Sequence, residues 1–195
     1  MTLTQQVYEW LRRDIYLLRW SEYEFLTESA LAKEYQVSKA PIREALYRLC
    51  REGMMESYPR KGYRIRIISA DEYRQIQKIR YANESLAVDF FLADPDSKLC
   101  DEIKRAAESY GDVGSNLAFH MALAKASQNQ MLQDIIDRLL HCVARSITVQ
   151  NQMKKASPLV YHMEIAEALE KRDGRLAKEY LKKDIGITEE KENEL

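Results

Sequence analysis

The stretch from Ser38 to Leu49 constrains the fold of this chain more than any other, because its residue pattern suits one kind of helix. Apolar residues recur there at i, i+3, i+4 and i+7: Ile42, Ala45, Leu46 and Leu49. This spacing is typical of an amphipathic helix that packs on a core. The opposite face carries three residues that lie one turn apart: Lys39, Arg43 and Tyr47. Since Ser38 suits the N-cap, the sequence predicts a capped helix with an exposed basic face.

The segments on either side of this helix complete a DNA-binding pattern. Before it, Thr27 suits the N-cap of a short helix over 28–35, and residues 36–37 form a tight turn. After it, residues 54–58 and 63–67 have the pattern of two strands joined by a turn. Two helices joined by a short turn and followed by a basic hairpin predict a winged helix-turn-helix. The hairpin tip combines two cations with a conformationally free residue: Arg60, Lys61 and Gly62.

Charge is divided unevenly along the chain, although the formal net charge is only −1. Residues 1–68 carry 12 Lys or Arg against 9 Asp or Glu, whereas residues 69–195 carry 18 against 22. A basic segment joined to an acidic domain fits a nucleic-acid contact at one end of the chain. Taken alone, the charge pattern favours a solvated basic face, and the neighbouring motif is what points to DNA.

The remaining sequence predicts a mainly α protein. Only 6 Gly and 4 Pro occur in 195 residues, and long stretches with a 3.6-residue period follow the hairpin. We expect an N-terminal winged helix-turn-helix domain with a small β-hairpin wing over 1–67, a linker over 68–73, and an all-α helical bundle over 74–195. The first long helix of the bundle has this predicted inward stripe: Ile76, Ile79, Ala82, Leu86, Ala87, Phe90 and Phe91.

Nothing in the sequence points to a membrane or to export. No apolar run approaches the ~20 residues that a membrane-spanning helix needs, and no signal peptide is evident at the N-terminus. The cysteines are three in number, widely spaced and without a surrounding motif, which argues for reduced thiols. These features predict a cytoplasmic protein with no membrane partner.

Residues 5–67 resemble the winged-helix domain of the GntR family of bacterial transcription regulators. The matching positions are Leu31-Ala32, the run from Val37 to Leu46, Leu49, Glu52-Gly53-Met54 and Gly62. The resemblance implies a homodimer on double-stranded DNA, with recognition helices about 34 Å apart in successive major grooves of a palindromic operator. It assigns operator contact to residues of the recognition helix and the wing: Ser38, Lys39, Arg43, Arg48, Arg60, Lys61 and Gly62.

The helical half, roughly residues 71–185, is similar to the ligand-sensing FCD domain of the FadR branch of that family. The similarity is carried by Arg80-x-x-x-Glu84, by Asn116-Leu117-Ala118-Phe119-His120, and by residues 126–129, 162–169 and 173–177. In that branch an Asp and three His commonly hold a divalent metal that helps to bind a carboxylate effector. The similarity therefore implies a sensing domain controlled by a small carboxylate metabolite.

The corresponding metal positions here are Asn116, His120, His162 and Asp184, so two of the four differ from the usual set. Two imidazoles and a carboxylate remain a workable set for Zn²⁺, Ni²⁺, Fe²⁺ or Mn²⁺. The alternative is a polar pocket that has lost its metal. The predicted effector contacts are Arg80, Asn116 and Arg145, and the alternative for Arg80 is a surface ion pair with Glu84.

These features predict a ligand-responsive transcription repressor rather than an enzyme. The alternative is a metal-dependent enzyme that uses His120, His162 and Asp184, but no nucleophile motif or phosphate loop accompanies them. A purely architectural DNA-binding protein leaves the long acidic helical region without a purpose.

Overall fold

The computed structural model describes residues 1–109, 113–154 and 160–187, and the side chains of all of these except 113 and 147–154. The chain divides into two compact units. The first holds Met1–Ser69 together with the chain that follows from His141, and the second holds Ala70–Leu140 together with the described chain from Val160 onward. The division falls after Ser69, and the first unit also includes a later helical segment.

The N-terminal part of the first unit, residues 1–69, contains three helices and a two-stranded hairpin. These elements are α1 (Leu3–Tyr16), α2 (Glu28–Glu34), α3 (Lys39–Arg51), β1 (Met55–Tyr58) and β2 (Gly62–Ile65). The Thr27 hydroxyl accepts a hydrogen bond from the Ala30 amide and so caps α2 as predicted. Ser38 occupies the N-cap position of α3, but its side chain makes no capping hydrogen bond.

Helices α1 and α3 form the core of this unit. The predicted apolar stripe of α3 is fully buried, as are Val7, Leu11 and Ile15 of α1. Both helices have a single apolar face, so the 3.6-residue period identifies the buried side correctly. The opposite face of α3 remains in solvent.

The hairpin is fixed to the rest of the unit by its second strand. Tyr63 of β2 exchanges two backbone hydrogen bonds with Leu26, at 2.7 and 2.8 Å. Gly62 has a φ of +107°, and a Cβ at this position would lie 2.4 Å from the Leu26 carbonyl oxygen. Only glycine fits this close approach of two backbones, so Gly62 is required by the fold of the wing.

The second unit is entirely helical among its described residues. Its elements are α4 (Ala70–Ala93), α5 (Ser97–Glu108), α6 (Val113–Ala126), the first part of α7 (Gln130–Lys154), α8 (His162–Glu170) and α9 (Gly174–Ile185). Helix α4 begins at Ala70, so most of the predicted linker over 68–73 is helical. Residues 110–112, between α5 and α6, lie outside the described residues. No described helix is long and apolar enough to cross a membrane.

The predicted inward stripe of α4 is partly wrong. Ile79, Leu86 and Phe90 are exposed, as is Ala82, whereas Ala87 and Phe91 are buried as expected. The buried face of α4 instead carries polar side chains: Gln77, Arg80 and Glu84. Apolar residues lie on both sides of this helix, so periodicity cannot tell which side the unit covers.

Candidate functional site

The outer face of α3 presents the residues predicted to read DNA. Lys39 and Arg43 are exposed on this face, and Tyr47 follows one turn later with 65% of its surface accessible. Pro41 lies in the first turn of the helix, where a missing backbone N–H costs nothing. The helix therefore offers a solvent-facing surface of two cations and one aromatic ring.

Arg43 is held by a carboxylate from another helix. Its Nε donates to the two Glu28 oxygens at 3.0 and 3.1 Å, and its Nη2 donates to Oε2 at 2.8 Å. The Arg43 side chain nevertheless keeps 64% of its surface exposed. The guanidinium lowers the pKa of Glu28, chiefly through these hydrogen bonds. Sequence reasoning missed Glu28, because a pair 15 residues apart leaves no periodic signal.

Arg48, another predicted DNA contact, is bound within the first unit. Its Nε donates to Glu52 at 2.9 Å, its Nη1 donates to Gln5 at 2.9 Å, and its guanidinium lies 3.7 Å from the Tyr8 ring centroid. These contacts join α3 to α1 and to the residue that follows α3. Arg48 is thus placed as a link inside the unit, with about half of its side chain still exposed.

The wing presents two cations beside an aromatic pair. Arg60 and Lys61 are exposed at the turn, and Arg60 adopts a left-handed backbone with φ of 65°. The Lys61 ammonium lies 5.6 Å from the Phe25 ring centroid, and Phe25 packs edge-on against Tyr58. The wing tip is therefore basic, and its Lys61 lies beside an edge-on pair of aromatic rings.

A second group of candidate residues forms a buried polar cluster in the second unit. Four helices contribute to this cluster: Arg80 and Glu84 from α4, His120 from α6, His162 from α8 and Asp184 from α9. Arg80 and Glu84 lie one turn apart on the covered side of α4, so both side chains point into the bundle. The predicted residues His120, His162 and Asp184 do converge, and all five side chains are almost fully buried.

His120 stands at the centre of the cluster. Its Nδ1 lies 2.6 Å from Glu84 Oε2, while its Nε2 lies 2.8 Å from Arg80 Nη2 and 3.2 Å from Asp184 Oδ2. A carboxylate only accepts hydrogen bonds, so the Nδ1 of a neutral His120 carries the hydrogen. The Nε2 lone pair of that tautomer then accepts from Arg80. Arg80 Nε also donates to Glu84 Oε1 at 2.5 Å.

His162 and Asp184 complete the other side of the cluster. The His162 ring stacks on Phe119 with centroids 3.9 Å apart, and its Nε2 lies 3.6 Å from Asp184 Oδ2. That Nε2 is buried and has no hydrogen-bond partner among the described residues. Asp184 is fixed separately, because its Oδ1 accepts from the Tyr161 amide at 2.9 Å. A buried nitrogen without a partner is costly in a purely structural cluster.

Sequence reasoning missed two residues that support this cluster. Gln77 donates to the Ile185 carbonyl at 2.8 Å and accepts from Arg80 Nη1 at 3.2 Å, which links α4 to α9. Gln77 lies three residues before Arg80, so the helical period was the available signal. Phe119 supplies the stacking surface for His162, and no polar pattern could have identified it.

The net charge of the cluster depends on the protonation of its two imidazoles. With both imidazoles neutral, Arg80 contributes +1 against −1 each from Glu84 and Asp184. Burial opposes ionisation of the carboxylates, yet Arg80 and His120 lower the pKa of Glu84, and interactions with the two histidines lower that of Asp184. Burial also disfavours charged imidazoles. The attraction of Glu84 still raises the pKa of His120, whereas burial lowers the pKa of His162.

The cluster can hold a metal ion by its ligand chemistry. One ligand atom each from His120, His162 and Asp184 lie within 4.8 Å of one another. Two imidazole nitrogens and a carboxylate oxygen suit Zn²⁺ and neighbouring transition metals. The partnerless His162 nitrogen also fits a metal, because an ion would satisfy it. The residues present therefore fit the group that the predicted sensing domain commonly carries.

The structure places three of the predicted features differently from what the sequence suggested. Asn116 is half-buried one turn before His120, but no hydrogen bond joins it to the cluster among the described residues. Arg145 belongs to the first unit, where its Nη2 lies 3.4 Å from Glu22, so the structure does not bring it to the cluster. The Arg80–Glu84 pair is formed, but the expectation of a surface pair is wrong because both side chains are buried.

Comparison with known proteins agrees with the two-part organisation. Residues 3–65 match the bacterial regulatory proteins of the gntR family, and residues 93–186 match the FCD domain. The HTH-type transcriptional regulator YdhC of Bacillus subtilis (strain 168) is 27% identical over 190 residues, which cover 90% of this chain and 84% of YdhC. The HTH-type transcriptional repressor RspR of Escherichia coli (strain K12) is 25% identical over 186 residues, covering 88% and 81%.

A solved structure shares the fold. A GntR transcriptional regulator from Rhodococcus sp. RHA1 superposes with a TM-score of 0.76 at 20% identity, covering 93% of each chain. The relatives and the matching families are transcriptional regulators, not enzymes, so the enzyme alternative is not favoured. The first matched segment contains the winged-helix motifs, and the second contains the FCD-type motifs except Arg80-x-x-x-Glu84, which precedes it. The chain belongs to the GntR family of transcriptional regulators, in the FadR-like branch that carries an FCD domain.

Proposed function

We propose that this protein is a homodimeric repressor that binds a palindromic operator and releases it when a small carboxylate binds in the second unit. The observation that carries the proposal is the buried cluster around His120, which encloses three ionisable side chains, Arg80, Glu84 and Asp184, and an imidazole nitrogen without a hydrogen-bond partner among the described residues. Clusters that bury charge at this cost are more typical of ligand sites than of ordinary helical cores. Repression is proposed because the relative RspR is a repressor by name.

The DNA-binding part of the proposal rests on the exposed cations of the first unit. Lys39 and Arg43 lie near the N-terminal end of α3, with Ser38 at its cap, and this end of a recognition helix approaches base edges. Arg60 and Lys61 on the wing would add phosphate or minor-groove contacts. Gly62 serves the wing through its backbone. Arg48, bound as it is to Glu52 and Gln5, is proposed to support α3 and at most to touch a phosphate.

The homodimer is supported by the exposed apolar face of α4. This face, which we call the α4 stripe, consists of Ile79, Ala82, Leu86 and Phe90. Large exposed apolar residues aligned on one helix face are typical of protein interfaces. A second copy of the chain is the simplest partner, since two-fold dimers present the same patch on both subunits and match a palindromic operator. The error in the predicted burial of α4 thus has a physical explanation in the proposed dimer.

The metal part of the proposal uses the residues that converge. His120, His162 and Asp184 would hold a divalent ion, and Asn116 on the same helix as His120 offers a neutral oxygen nearby in sequence. The ion would supply a Lewis-acidic centre that attracts a carboxylate. The Nε2 lone pair of His120 cannot both accept from Arg80 and bind a metal, so Arg80 would be released as an anion donor. Glu84 keeps the His120 tautomer that presents Nε2.

Metal analysis and calorimetry test the sensing half of this proposal. Protein purified without chelator should contain about one transition-metal ion per chain, or bind added Zn²⁺ with a rise in melting temperature. The variant Asp184→Asn should weaken Zn²⁺ binding at least tenfold. The matched control Asp89→Asn removes an exposed carboxylate that pairs with Lys178 and should leave Zn²⁺ binding unchanged.

Binding of succinate and citrate should then depend on metal and on Arg80. We expect both carboxylates to raise the melting temperature of metal-loaded protein, and Arg80→Lys to reduce that rise because lysine lacks the planar fork. Protein with no bound metal and no thermal response to Zn²⁺ or Ni²⁺ would show that the cluster is a polar pocket. In that case the metal part of the proposal fails while DNA binding stands.

A further inference from the structure

The pairing of Arg43 with Glu28 leaves a defined part of the guanidinium available. Glu28 accepts from Nε and from one hydrogen of Nη2, which together form one edge of the planar group. The remaining edge consists of Nη1–H and the second Nη2–H. Neither nitrogen has another hydrogen-bond partner among the described residues, and the side chain is 64% exposed. The outer edge of Arg43 is therefore free and its plane is fixed.

Glu28 is itself held in place. It is the first residue of α2, where its negative charge is favoured by the helix N-terminus. The Tyr63 hydroxyl of the hairpin donates to its Oε1 at 3.4 Å, and only 22% of its side chain is exposed. Glu28 thus connects α2, α3 and the wing in one network. An arginine that is anchored to such a group loses fewer conformations when it binds a target.

Two properties of the pair select the kind of target. The pair has no net charge, and the carboxylate within 3 Å of the guanidinium disfavours the close approach of a phosphate anion. A neutral target with two adjacent acceptors fits the free edge better. In the major groove, guanine is the base that offers two acceptors, O6 and N7, to one arginine.

We propose that Glu28 is a positioning residue that holds Arg43 for a two-hydrogen-bond contact with a guanine of the operator. Glu28 itself need not touch DNA. The inference rests on the proposed function, in which α3 reads an operator. It identifies guanine as the base that Arg43 recognises and Glu28 as the residue that orients Arg43 for this contact. Removing the Glu28 charge has two opposite consequences. Arg43 gains freedom and a net positive charge, so affinity for any DNA rises while discrimination at the guanine falls.

The experiment selects bound duplexes from a random library and then measures affinities by fluorescence anisotropy. Full-length wild type, Glu28→Gln and Arg43→Lys are compared on the selected duplex and on duplexes with each guanine pair replaced by an adenine pair. Glu24→Gln is the matched control, since Glu24 is an exposed carboxylate of the same unit without a side-chain partner among the described residues. Circular dichroism and melting temperature confirm that each variant is folded.

Wild type should lose about tenfold or more in affinity when one symmetric guanine pair is replaced. For Glu28→Gln, the ratio of the affinity for the selected duplex to the affinity for the guanine-replaced duplex should fall several-fold, whereas the affinity for unrelated DNA should rise. Arg43→Lys should reduce the same ratio, and Glu24→Gln should leave it unchanged. A Glu28→Gln protein that discriminates like wild type overturns the inference while operator binding stands. A selected operator in which no guanine depends on Arg43 also overturns it. A wild type that enriches no sequence overturns the proposed function and the inference together.

Discussion

Two of the arginine–glutamate pairs in this molecule form short, direct contacts in opposite surroundings. Arg43–Glu28 in the first unit has its side chains 64% and 22% exposed, and Arg80–Glu84 in the second unit has them 2% and 0% exposed. Both pairs have donor–acceptor distances of 2.5 to 3.1 Å. The two pairs therefore use the same chemistry at the surface and in the core.

The difference in burial decides what each pair can do. Water screens an exposed pair, so its value lies in orientation rather than in stability. A buried pair has given up its hydration, and each member depends on the other for compensation. The surface pair is therefore suited to reading an external target, and the buried pair to holding a polar cluster whose charge balance a ligand can change.

The largest expected effect comes from breaking the buried pair. Arg80→Ala leaves Glu84 charged and uncompensated in the core, which should lower the free energy of unfolding by about 3–5 kcal/mol. The corresponding surface change, Arg43→Ala, should leave the unfolding curve almost unchanged. Urea unfolding followed by circular dichroism measures both. Equal losses for the two variants would contradict the contrast between the pairs.

Disruption of the wing turn at Gly62 should cause the second largest loss of unfolding free energy. Gly62→Ala must place a Cβ at 2.4 Å from the Leu26 carbonyl at a φ of +107°, so the Leu26–Tyr63 bridge cannot form unchanged. We expect a loss of about 2 kcal/mol or more in unfolding free energy, and weaker DNA binding as the wing shifts. The matched control is Gly186→Ala, which has a φ of +77° but nothing within 4 Å of the added Cβ. The control should lose only the ~1–2 kcal/mol of a left-handed alanine.

The smallest expected effect is the dependence of metal binding on pH. Burial and Arg80 oppose protonation of His120, but the Glu84 and Asp184 carboxylates together outweigh them and raise the pKa of the ring. A protonated ring has no lone pair for a metal, so Zn²⁺ affinity should fall as the pH drops through this raised value. The decline should begin above the ordinary histidine value of about 6.5 and approach tenfold per pH unit for one competing proton. Calorimetric titration with Zn²⁺ between pH 8 and pH 6 measures it, and a constant affinity would contradict the role of His120.

Sequence patterns predicted the first unit more closely than the second for a physical reason. Helix α3 has one apolar face, so the 3.6-residue period of its sequence predicted both the helix and the face that is buried. Helix α4 has apolar residues on two faces, and its buried face holds Arg80 and Glu84, so the stripe was assigned to the wrong side. Burial of a charged pair depends on residues from other helices, which a local period does not contain.

The candidate site was predictable to the extent that a family motif carried it. His120, His162 and Asp184 converge in the structure, as the resemblance implied. Arg145 lies in the other unit, and helical spacing alone could not show whether it reaches the site. The Glu28–Arg43 pair and the stacking of Phe119 on His162 join residues that are 15 and 43 positions apart, and both depend on the folded geometry.

The most direct test of this account is the affinity of the wild-type protein for its selected duplex and for a shuffled duplex over a range of salt concentrations. We expect the selected duplex to bind at least about 10³-fold more tightly, and the logarithm of affinity to fall linearly with the logarithm of salt concentration. Arg43→Ala should remove most of the difference between the duplexes, while Arg105→Ala, an exposed arginine of the second unit, should not. Equal affinity for the two duplexes in the wild type would contradict the assignment of α3 as a sequence-reading helix.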